Sequence, residues 1–481
     1  MGILKNKYFI TGVFLLLIVV LAVFFHFEIH FENALTNSPE AGFGVHISIW
    51  RYIFEPILGP LLFYNRSINP LTELPMALMW GTLIYLLVEL VPAFKYRKTR
   101  KKSILKKLAN IPLVLGICFS IFALTLFIPL PNNTIINNSE KSVLVTTHAH
   151  TEYSHDGLIS QKGMWKWHKR NGFDAFFITD HAHHTKSLQF SESQRKEEFH
   201  IAPLVMVGQE HSGTNHLSLL GLNGEFDTIG MEDKAVIDSV HKYGGAVFVN
   251  HWFDGKGKEK EFYRSLGVDG FEIENVGSEL YYDREIYIEL KKYCKANNLI
   301  MIGGLDFHGY GRACSLYNAL EIPDWKSLGV REKESKILNI LKNGPQEKIK
   351  VLMYKDRDLY GNKNMILRPF LTFINYFKTL NLIQIFSWIF WVTLFQLFRK
   401  RFTIEIFNPD KFIVIVAGFC VLFLFSLSGV FYFKGEAVKG YNKVYSEYFS
   451  ILGIVGIVLA AFVMFLGYKR FCSKAIYNRN T

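Results

Sequence analysis

Two histidines separated by one residue begin the most informative stretch of this chain. His148 and His150 follow the apolar run at 143–145, and Asp156 lies on the segment beyond them. Side chains two positions apart on a strand point the same way, so both imidazoles aim at one point. Two imidazoles with a nearby carboxylate are typical metal ligands. His155, directly before Asp156, is the alternative ligand at that position.

The same pattern recurs at the ends of later apolar runs. A single histidine at a strand end is usually a structural residue, but five such ends that each carry His or a carboxylate favour one shared site. The later clusters are Asp180 with His181, Glu210 with His216, Asn250 with His251, and Asp306 with His308. His211, beside Glu210, is an alternative to His216 as the histidine of the second of these clusters.

Short β-branched runs alternate with helix-like stretches between 143 and 355. This alternation predicts an α/β domain with a mainly parallel sheet or barrel, whose functional residues lie at the carboxyl ends of the strands. The predicted strands are 143–148, 173–179, 204–209, 216–222, 245–250, 270–275, 299–305 and 315–322. The predicted helices are 160–171, 231–243, 283–297 and 333–343.

Apolar runs of about 20 residues, long enough to cross a bilayer, flank this domain. Basic residues at 95–107 and 399–401 follow two of these runs, and such residues are retained in the cytoplasm. The central domain is then expected on the extracytoplasmic side. The predicted spans are 8–27, 75–94, 110–130, 380–398, 412–433 and 449–468.

The segment 28–74 is predicted to be external and partly interfacial. Its apolar part, 45–64, contains Arg51 and Glu55, and counting it as a span would put the basic run at 95–107 outside. Glu89, inside the span 75–94, is a carboxylate that either has a function or reaches the cytoplasmic interface.

Composition excludes some classes of protein. The net charge is +12, but the basic residues lie beside the apolar runs, so a nucleic-acid-binding surface is not indicated. The 5 Cys are too few and too scattered for a disulfide framework. A Cys294–Cys314 bridge is the less favoured alternative to free thiols.

In this order, the motifs resemble those of the polymerase and histidinol phosphatase (PHP) domain over about 143–350. The resemblance implies a distorted (β/α)7-type barrel with two or three divalent ions, and the mixed imidazole and carboxylate ligands suit Zn, Mn or Fe. It implies one ion held by His148, His150, Glu210 and Asp306, a second shared by Glu210 with His216 and His251, and a third held by Asp156, His181 and His308.

Other residues receive roles around these ligands. Asp180 is expected to orient His181, and Arg312 is expected either to bind a phosphate or to form a salt bridge at the rim. Glu272 and Glu274 are interpreted as supporting or structural carboxylates on one strand face. The neighbouring histidines at 183–184 are expected at the pocket rim or on the surface.

The sequence therefore predicts an integral-membrane phosphoesterase with three regions: 1–130, 131–355 and 356–481. Clustered divalent ions lower the pKa of bound water, so hydroxide becomes available to attack a phosphate mono- or diester. Because only 131–142 separates a span from the domain, a lipid-linked or headgroup substrate is expected beside a soluble phosphorylated one. The alternatives are a nuclease and a non-catalytic metal-binding sensor or assembly module.

Overall fold

The computed structural model describes residues 7–66, 70–95, 104, 107–222, 227–276, 284–311, 314–357, 364, 366–401 and 409–472. The strands are β1 (His30–Asn33), β2 (Ser38–Pro39), β3 (Phe43–His46), β4 (Thr134–Asn137), β5 (Ser142–Thr146), β6 (Ala175–Ile178), β7 (Leu204–Ser212), β8 (His216–Leu220), β9 (Ala246–Val249), β10 (Gly270–Asn275), β11 (Ile300–Gly304), β12 (Leu316–Glu321) and β13 (Ile349–Lys355).

The helices alternate with these strands only in the middle of the chain. They are α1 (Lys7–Phe24), α2 (Ile49–Ile53), α3 (Glu55–Asn65), α4 (Pro70–Lys95), α5 (Ile111–Phe127), α6 (Gln161–Arg170), α7 (Thr185–Arg195), α8 (Asp233–Lys242), α9 (Lys260–Leu266), α10 (Arg284–Ala296), α11 (Val330–Asn343), α12 (Arg368–Lys378), α13 (Leu382–Arg401), α14 (Pro409–Ala437) and α15 (Val444–Gly467).

A large mixed sheet confirms the predicted α/β class. Its strand order is β11-β10-β9-β8-β7-β6-β5-β12-β13-β1-β2. The β5-β6-β7 and β9-β10-β11 pairs are parallel, whereas β8 is antiparallel to both of its neighbours. The expectation of a mainly parallel sheet was wrong here, because residues 213–215 form a loop too short for a crossover between β7 and β8.

The segment after β11 approaches the segment after β5. Ala149 and Phe307 form an isolated parallel bridge, and the amide of Asp306 donates to the carbonyl of His148 at 3.0 Å. The strand order itself is that of an open sheet, and a closed barrel is not shown by it. These contacts nevertheless bring the His148 and Asp306 motifs together at one edge.

Both faces of the sheet are covered. On β6, Phe176 and Ile178 belong to one buried apolar cluster, while Ala175 and Phe177 belong to another. All four side chains are completely buried. Strands covered on both faces read as continuous apolar runs, which is why the sequence identified them.

The N-terminal region contributes strands to the central sheet, which was not predicted. β1 pairs antiparallel with β13, and β3 pairs with β4 in a separate two-stranded sheet. Phe31 of β1 is 1% exposed and makes edge contacts with Tyr317 and Tyr354, at centroid distances of 5.8 and 5.7 Å. Part of the segment 28–74 is therefore built into the same domain as the motifs.

Long apolar helices occur in both flanking regions. Among the described residues, Leu71–Val88, Asp410–Ala437 and Val444–Phe471 are long and apolar enough to cross a membrane. The helices Arg368–Lys378 and Leu382–Phe398 would form a fourth span only as one pair, bent by 111°. Phe9–Phe24 and Ile111–Phe127 are apolar but shorter, so six spans and their direction stay a prediction.

The helices α5, α14 and α15 pack together and have well-defined ends. Asn110, just before α5, donates to Asp410 in the first turn of α14 at 3.1 Å, and Arg470, after α15, bonds both residues. The hairpin between α14 and α15 lies at the other end of the bundle, beside the motif-bearing loops. The side chain of Glu89 lies outside the described residues.

The buried position of Phe31 yields a prediction about the N-terminal strand. Phe31→Ala removes a large side chain between two tyrosines, so the free energy of unfolding should fall by about 3 kcal/mol or more. The thermal unfolding midpoint of the purified full chain measures the change. Ile229→Ala, at a 64% exposed position, serves as control, and equal midpoints for both variants would show that β1 is not part of the stable domain.

Candidate metal centre

Glu210, in β7, lies at the centre of the site and is 1% exposed. Five imidazole nitrogens approach its two carboxylate oxygens at distances of 3.2 to 3.4 Å. These nitrogens belong to His148, His150, His181, His216 and His251. A single buried carboxylate thus faces imidazoles that come from three different strand ends and from the start of β8.

The sheet topology explains this convergence. His148 and His150 follow β5, His181 follows β6, and His251 follows β9, so all four leave carboxyl ends of strands. His216 begins β8, and because β8 runs antiparallel its amino end lies at the same edge. His211 is the neighbour of Glu210 on β7 but faces Asp233 at 3.5 Å, since successive side chains alternate across a strand.

Asp306 and His308 continue the site from the end of β11. One oxygen of Asp306 lies 3.3 Å from the Nε2 atoms of both His148 and His150. His308 Nε2 lies 3.1 Å from Asp156 Oδ2. Asp306 therefore faces the paired histidines, while Asp156 faces His308.

Asp156 gathers a second group of imidazoles at the more open side. Its Oδ2 atom is 3.4 Å from His181 Nε2 and 3.7 Å from His155 Nε2. The side chain of His155 is 58% exposed, whereas Ser154 donates a 2.7 Å hydrogen bond to Asp156 Oδ1. Asp156 is therefore held in place inside the cluster, and His155 lies at its rim.

The donor set fits metal ions. The Nε2 atoms of His148 and His150 are 3.0 Å apart, and two nitrogens bound at right angles to one ion at about 2.1 Å would also be about 3.0 Å apart. Several subsets of these side chains offer ligand atoms within 4.8 Å of one another: His148, His150 and Glu210; His150, Asp156 and His308; His155, Asp156 and His181; His181, Glu210 and His216.

A further carboxylate orients His148. Glu272 Oε1 lies 2.8 Å from His148 Nδ1, so the Nε2 atom of this histidine is the one turned toward the site. The other oxygen of Glu272 accepts from the amide of His251 at 3.1 Å. Gly304, on the adjacent β11, leaves the necessary space, since a Cβ there would collide with the Glu272 carboxylate. The expected supporting role of Glu272 thus has a contact to explain it.

Two supporting residues received no role from the sequence. Asn250 donates to Glu210 Oε1 at 2.6 Å, and Asp254 Oδ2 lies 3.1 Å from His251 Nδ1. The position of Asn250 directly before His251 was the available signal for the first. Asp254 follows His251 by three residues in a short 3-10 turn, a spacing that identifies it only once the turn is known.

The charges in the site depend on one another. Burial lowers the pKa of His148, but the carboxylates of Glu210 and Glu272 raise it well above its usual value. Burial also opposes protonation of His150, yet hydrogen bonds to Asp306 and Glu210 raise its pKa to about 10. Conversely, although burial favours the neutral acid, the facing imidazoles hold the pKa of Glu210 well below its usual value. The buried carboxylates of the pocket are therefore stabilised by positive charge placed next to them.

Two residues of the site have left-handed backbone conformations. Asp306 has φ +50° and His251 has φ +26°, values that are uncommon outside glycine and cost about 1–3 kcal/mol each. The amide hydrogen bonds of Asp306 to His148 and of His251 to Glu272 hold these conformations. The strained turns direct the Asp306 carboxylate toward His148 and His150 and the His251 ring toward Glu210.

Some expected contacts differ in the structure. Asp180 accepts from the amide and hydroxyl of Thr151, at 2.5 and 2.7 Å, instead of orienting His181. His181 Nδ1 is buried without a hydrogen-bond partner among the described residues. Sequence adjacency was misleading here, because Asp180 points away from the ring that follows it and fixes the turn after His150.

Three further expectations concern residues around the ligands. His183 is exposed as expected, but His184 is buried and lies 3.1 Å from Gln209 Oε1, so its placement at the rim or surface was wrong. Arg312 lies outside the described residues. Cys294 and Cys314 are both buried thiols outside any disulfide, so the less favoured bridge is not formed.

The hairpin between α14 and α15 contacts the loop that carries Asp156. Asn442 Nδ2 donates to the carbonyls of Ser154 and Gly157, at 2.9 and 2.5 Å. The amide of Lys443 donates to the carbonyl of His155 at 3.3 Å. An apolar helix pair is thereby connected by hydrogen bonds to a candidate ligand loop.

Aromatic contacts surround these hydrogen bonds. Tyr441 of the hairpin packs edge-on against Tyr153 at 5.3 Å, and Tyr448 of α15 lies 6.1 Å from Tyr310. Tyr445 also donates to Glu152 at 3.2 Å. Both loops that carry candidate ligands on the open side therefore rest on the α14–α15 pair.

Comparison with known families identifies the central domain. Residues 146–273 match the family model of the PHP domain, so the resemblance inferred from the motifs is confirmed over this part of the chain. Asp306 and His308 lie beyond the matched range. A search of curated proteins found no match.

Several solved structures resemble the chain weakly. A two-domain protein from Bacteroides vulgatus, described as containing a predicted PHP-like metal-dependent phosphoesterase, has 20% identity and a TM-score of 0.33, covering 48% of this chain and 69% of that one. A proposed metal-dependent phosphoesterase from Bifidobacterium adolescentis has 16% identity and a TM-score of 0.28, covering 35% and 88%. PsfC from Pseudomonas syringae has 13% identity and a TM-score of 0.33, covering 49% and 98%. These TM-scores are too low to support an inference about this chain.

The contact between Glu272 and His148 predicts an effect on metal affinity. Glu272→Gln keeps the shape of the side chain but removes the charge that holds His148, so metal affinity should fall about 10- to 100-fold. Competition with a chelator measures it. Glu285→Gln, at an exposed position on α10, is the matched control, and an unchanged affinity in the Glu272 variant would contradict the orienting role.

The hairpin contact predicts that a residue outside the central domain affects the site. Asn442→Ala removes two hydrogen bonds to the Asp156 loop, each worth about 1 kcal/mol, so the group around Asp156 should bind metal several-fold more weakly. Elemental analysis after chelator titration measures the ions retained per chain. Lys439→Ala, at an exposed position in the same hairpin, controls for the substitution. Identical retention in the two variants would mean that the hairpin does not support the loop.

Proposed function

We propose that this protein is an integral-membrane, metal-dependent phosphoesterase that hydrolyses a phosphate mono- or diester. The observation that carries the proposal is the convergence of five imidazole nitrogens on the buried Glu210 carboxylate. A charged carboxylate and several imidazoles without a cation would be costly to bury together. The match of residues 146–273 to the PHP domain adds a family in which such a donor set is expected.

The proposed ligand assignment is the one that the family resemblance implies. His148, His150, Glu210 and Asp306 would hold one ion, Glu210 with His216 and His251 a second, and Asp156, His181 and His308 a third. Zn, Mn or Fe would suit these donors. When bound, such ions lower the pKa of water and bind the oxygens of a phosphate ester.

The exposure of the ligands indicates where substrate would enter. The side chains of His148 and His150 are 0% exposed, whereas those of Asp156 and His216 are 25% and 38% exposed. A phosphate ester would therefore approach from the Asp156 and His216 side, with the deeper histidines closed to bulk water. Asp180 would act through Thr151 by fixing the turn after His150, and Arg312 remains the proposed partner of the phosphate.

The proposed location is the extracytoplasmic face of a membrane. Asn110, Asp410 and Arg470 mark one end of the α5, α14 and α15 bundle, and the basic run at 95–107 directly precedes that end. Basic residues are retained in the cytoplasm, so the opposite end, with the hairpin and the site, would face outward. In this arrangement 131–355 would form the core of the catalytic domain, joined by the strands of segment 28–74.

The proposed substrate class includes lipid-linked phosphates. Asn442 and Tyr448 belong to the apolar helix pair and its hairpin and contact the loops around Asp156 and His308, so the open side of the site would lie close to the bilayer.

The bridge between Ala149 and Phe307 supports the closed barrel that the family resemblance implies. Such a barrel would gather the ligands at its membrane-facing end.

Hydrolysis of chromogenic esters tests the proposed function. The purified full chain, loaded with Mn or Zn, should hydrolyse a nitrophenyl phosphomonoester or phosphodiester, and a chelator should abolish the activity. His150→Ala should lower turnover by about 100-fold or more, because loss of a direct ligand exceeds the 10–100-fold effect of losing a supporting contact. His183→Ala, at an exposed position nearby, should retain activity.

Two further outcomes separate the alternatives. A metal-loaded chain that is inert toward all esters would favour a sensor or assembly module, and cleavage confined to oligonucleotides would favour a nuclease. Comparing the same ester with and without a diacylglycerol chain, in detergent and in a bilayer, tests the lipid-linked class. Equal turnover on both would overturn the preference for lipid without affecting the phosphoesterase assignment.

A further inference from the structure

A cavity lies between the central domain and the end of helix α5. Its volume is about 520 Å³, which is within the usual range for ligand sites. The walls include the last turn of α5 and its linker (125–132), one face of α6, and the glycine-rich segment 309–311. The cavity thus opens where the apolar helix α5 ends and the sheet domain begins.

The polar part of this cavity is positively charged. Lys166 and Arg170 are exposed on α6, and with Gly163 and Trp167 they form the helix face that lines the cavity. Neither cation has an ion-pair partner among the described residues. Like charges four residues apart on a helix repel each other, so a bound anion would relieve this repulsion.

The third cation of the lining is less available. Lys434 of α14 lies near Glu152: burial raises the pKa of this carboxyl group, and the Lys434 ammonium group opposes the rise. No Asp or Glu belongs to the described lining of the cavity. Its uncompensated charge is therefore carried by Lys166 and Arg170.

A second cavity adjoins the first and is almost entirely apolar. It measures about 530 Å³ and is lined by Trp50, Phe54, Leu58, the linker 129–131 and Arg170. The linker and Arg170 border both cavities. Its apolar lining includes an exposed side chain, since Trp50 is 55% exposed. Exposed tryptophan next to a basic residue is typical of the membrane interface.

These cavities are separate from the metal centre. Phe307 lines the first cavity and stacks on Trp167 at 3.9 Å. Its neighbours Asp306 and His308 turn toward the candidate metal ligands instead. A ligand in the cavity would therefore lie behind the strand-end segment and would not occupy the proposed substrate position.

We propose that the paired cavities bind one anionic phospholipid of the bilayer. Its phosphate would lie between Lys166 and Arg170, and an acyl chain would occupy the apolar cavity at Trp50 and Phe54. A cation near the membrane surface favours an anionic lipid by about 1 kcal/mol, and the two act on the same phosphate. Such a lipid would fix the angle between α5 and the sheet domain. The inference does not depend on the phosphoesterase activity.

Lipid binding to the purified full chain in detergent tests the proposal. Native mass spectrometry should show one retained dioleoyl phosphatidylglycerol, bound about tenfold or more tightly than dioleoyl phosphatidylcholine. The Lys166→Gln/Arg170→Gln double variant should lose this preference. The matched control, Lys162→Gln/Lys169→Gln, removes two cations from the same helix outside the cavity lining and should keep it.

Three outcomes would overturn the proposal. Equal affinity for the two lipids in the unaltered chain would exclude an anion-selective site, and this comparison requires no variant to fold. Equal losses in the two double variants would assign the preference to the general charge of α6. Full displacement of phosphatidylglycerol by excess inorganic phosphate would mean that the cavity takes a free anion. None of these readouts uses turnover, so they leave the proposed catalytic function untouched.

Discussion

The buried Glu210 carboxylate is the constraint on which the rest of the domain depends. It is 1% exposed and remains charged because imidazoles surround it. An isolated carboxylate at this depth would cost several kcal/mol, and one neighbouring histidine would not offset it. The sheet must therefore deliver several imidazoles to the same point. Strands β5 to β11 do so by ending at one edge, with β8 reversed so that His216 begins there.

The supporting residues can be understood from the same constraint. Glu272 and Asp254 contact the outward nitrogens of His148 and His251, so the inward nitrogens remain available to the centre. Asn250 donates directly to Glu210. Each of these groups fixes a ring or a carboxylate that would otherwise turn away. The positive φ of Asp306 has the same explanation: the backbone is strained at this turn, and the strained conformation directs the Asp306 side chain toward the candidate ligands.

The sequence was sufficient where the structural signal is local. All eight predicted strands are present, and they could be predicted because strands covered on both faces are continuous apolar runs. The side chains of His148 and His150 could be placed together because side chains alternate regularly along a strand. The sequence failed where the partner is distant. β1 pairs with β13 across more than half of the chain, and the four residues of β1, of which only Phe31 favours a strand, do not indicate such a partner.

Side-chain direction was a second limit. Asp180 precedes His181 in sequence, yet its carboxylate bonds to Thr151, about one strand away in the sheet. Asn250 could not be assigned a role because its partner Glu210 lies on β7. The ligand roles themselves stay predictions.

The position of the site beside the apolar helices has a physical consequence. The loops that carry Asp156 and His308 lie on the open side of the cluster, and loops of this kind are usually mobile. Here Asn442 and Tyr448, from the α14–α15 pair, hold them. The geometry of the open side therefore depends on residues outside the domain that the family model recognises. A displacement of the helix pair would be transmitted to the Asp156 loop through the two hydrogen bonds of Asn442. Glu210 and the deeper histidines would be held by the sheet alone.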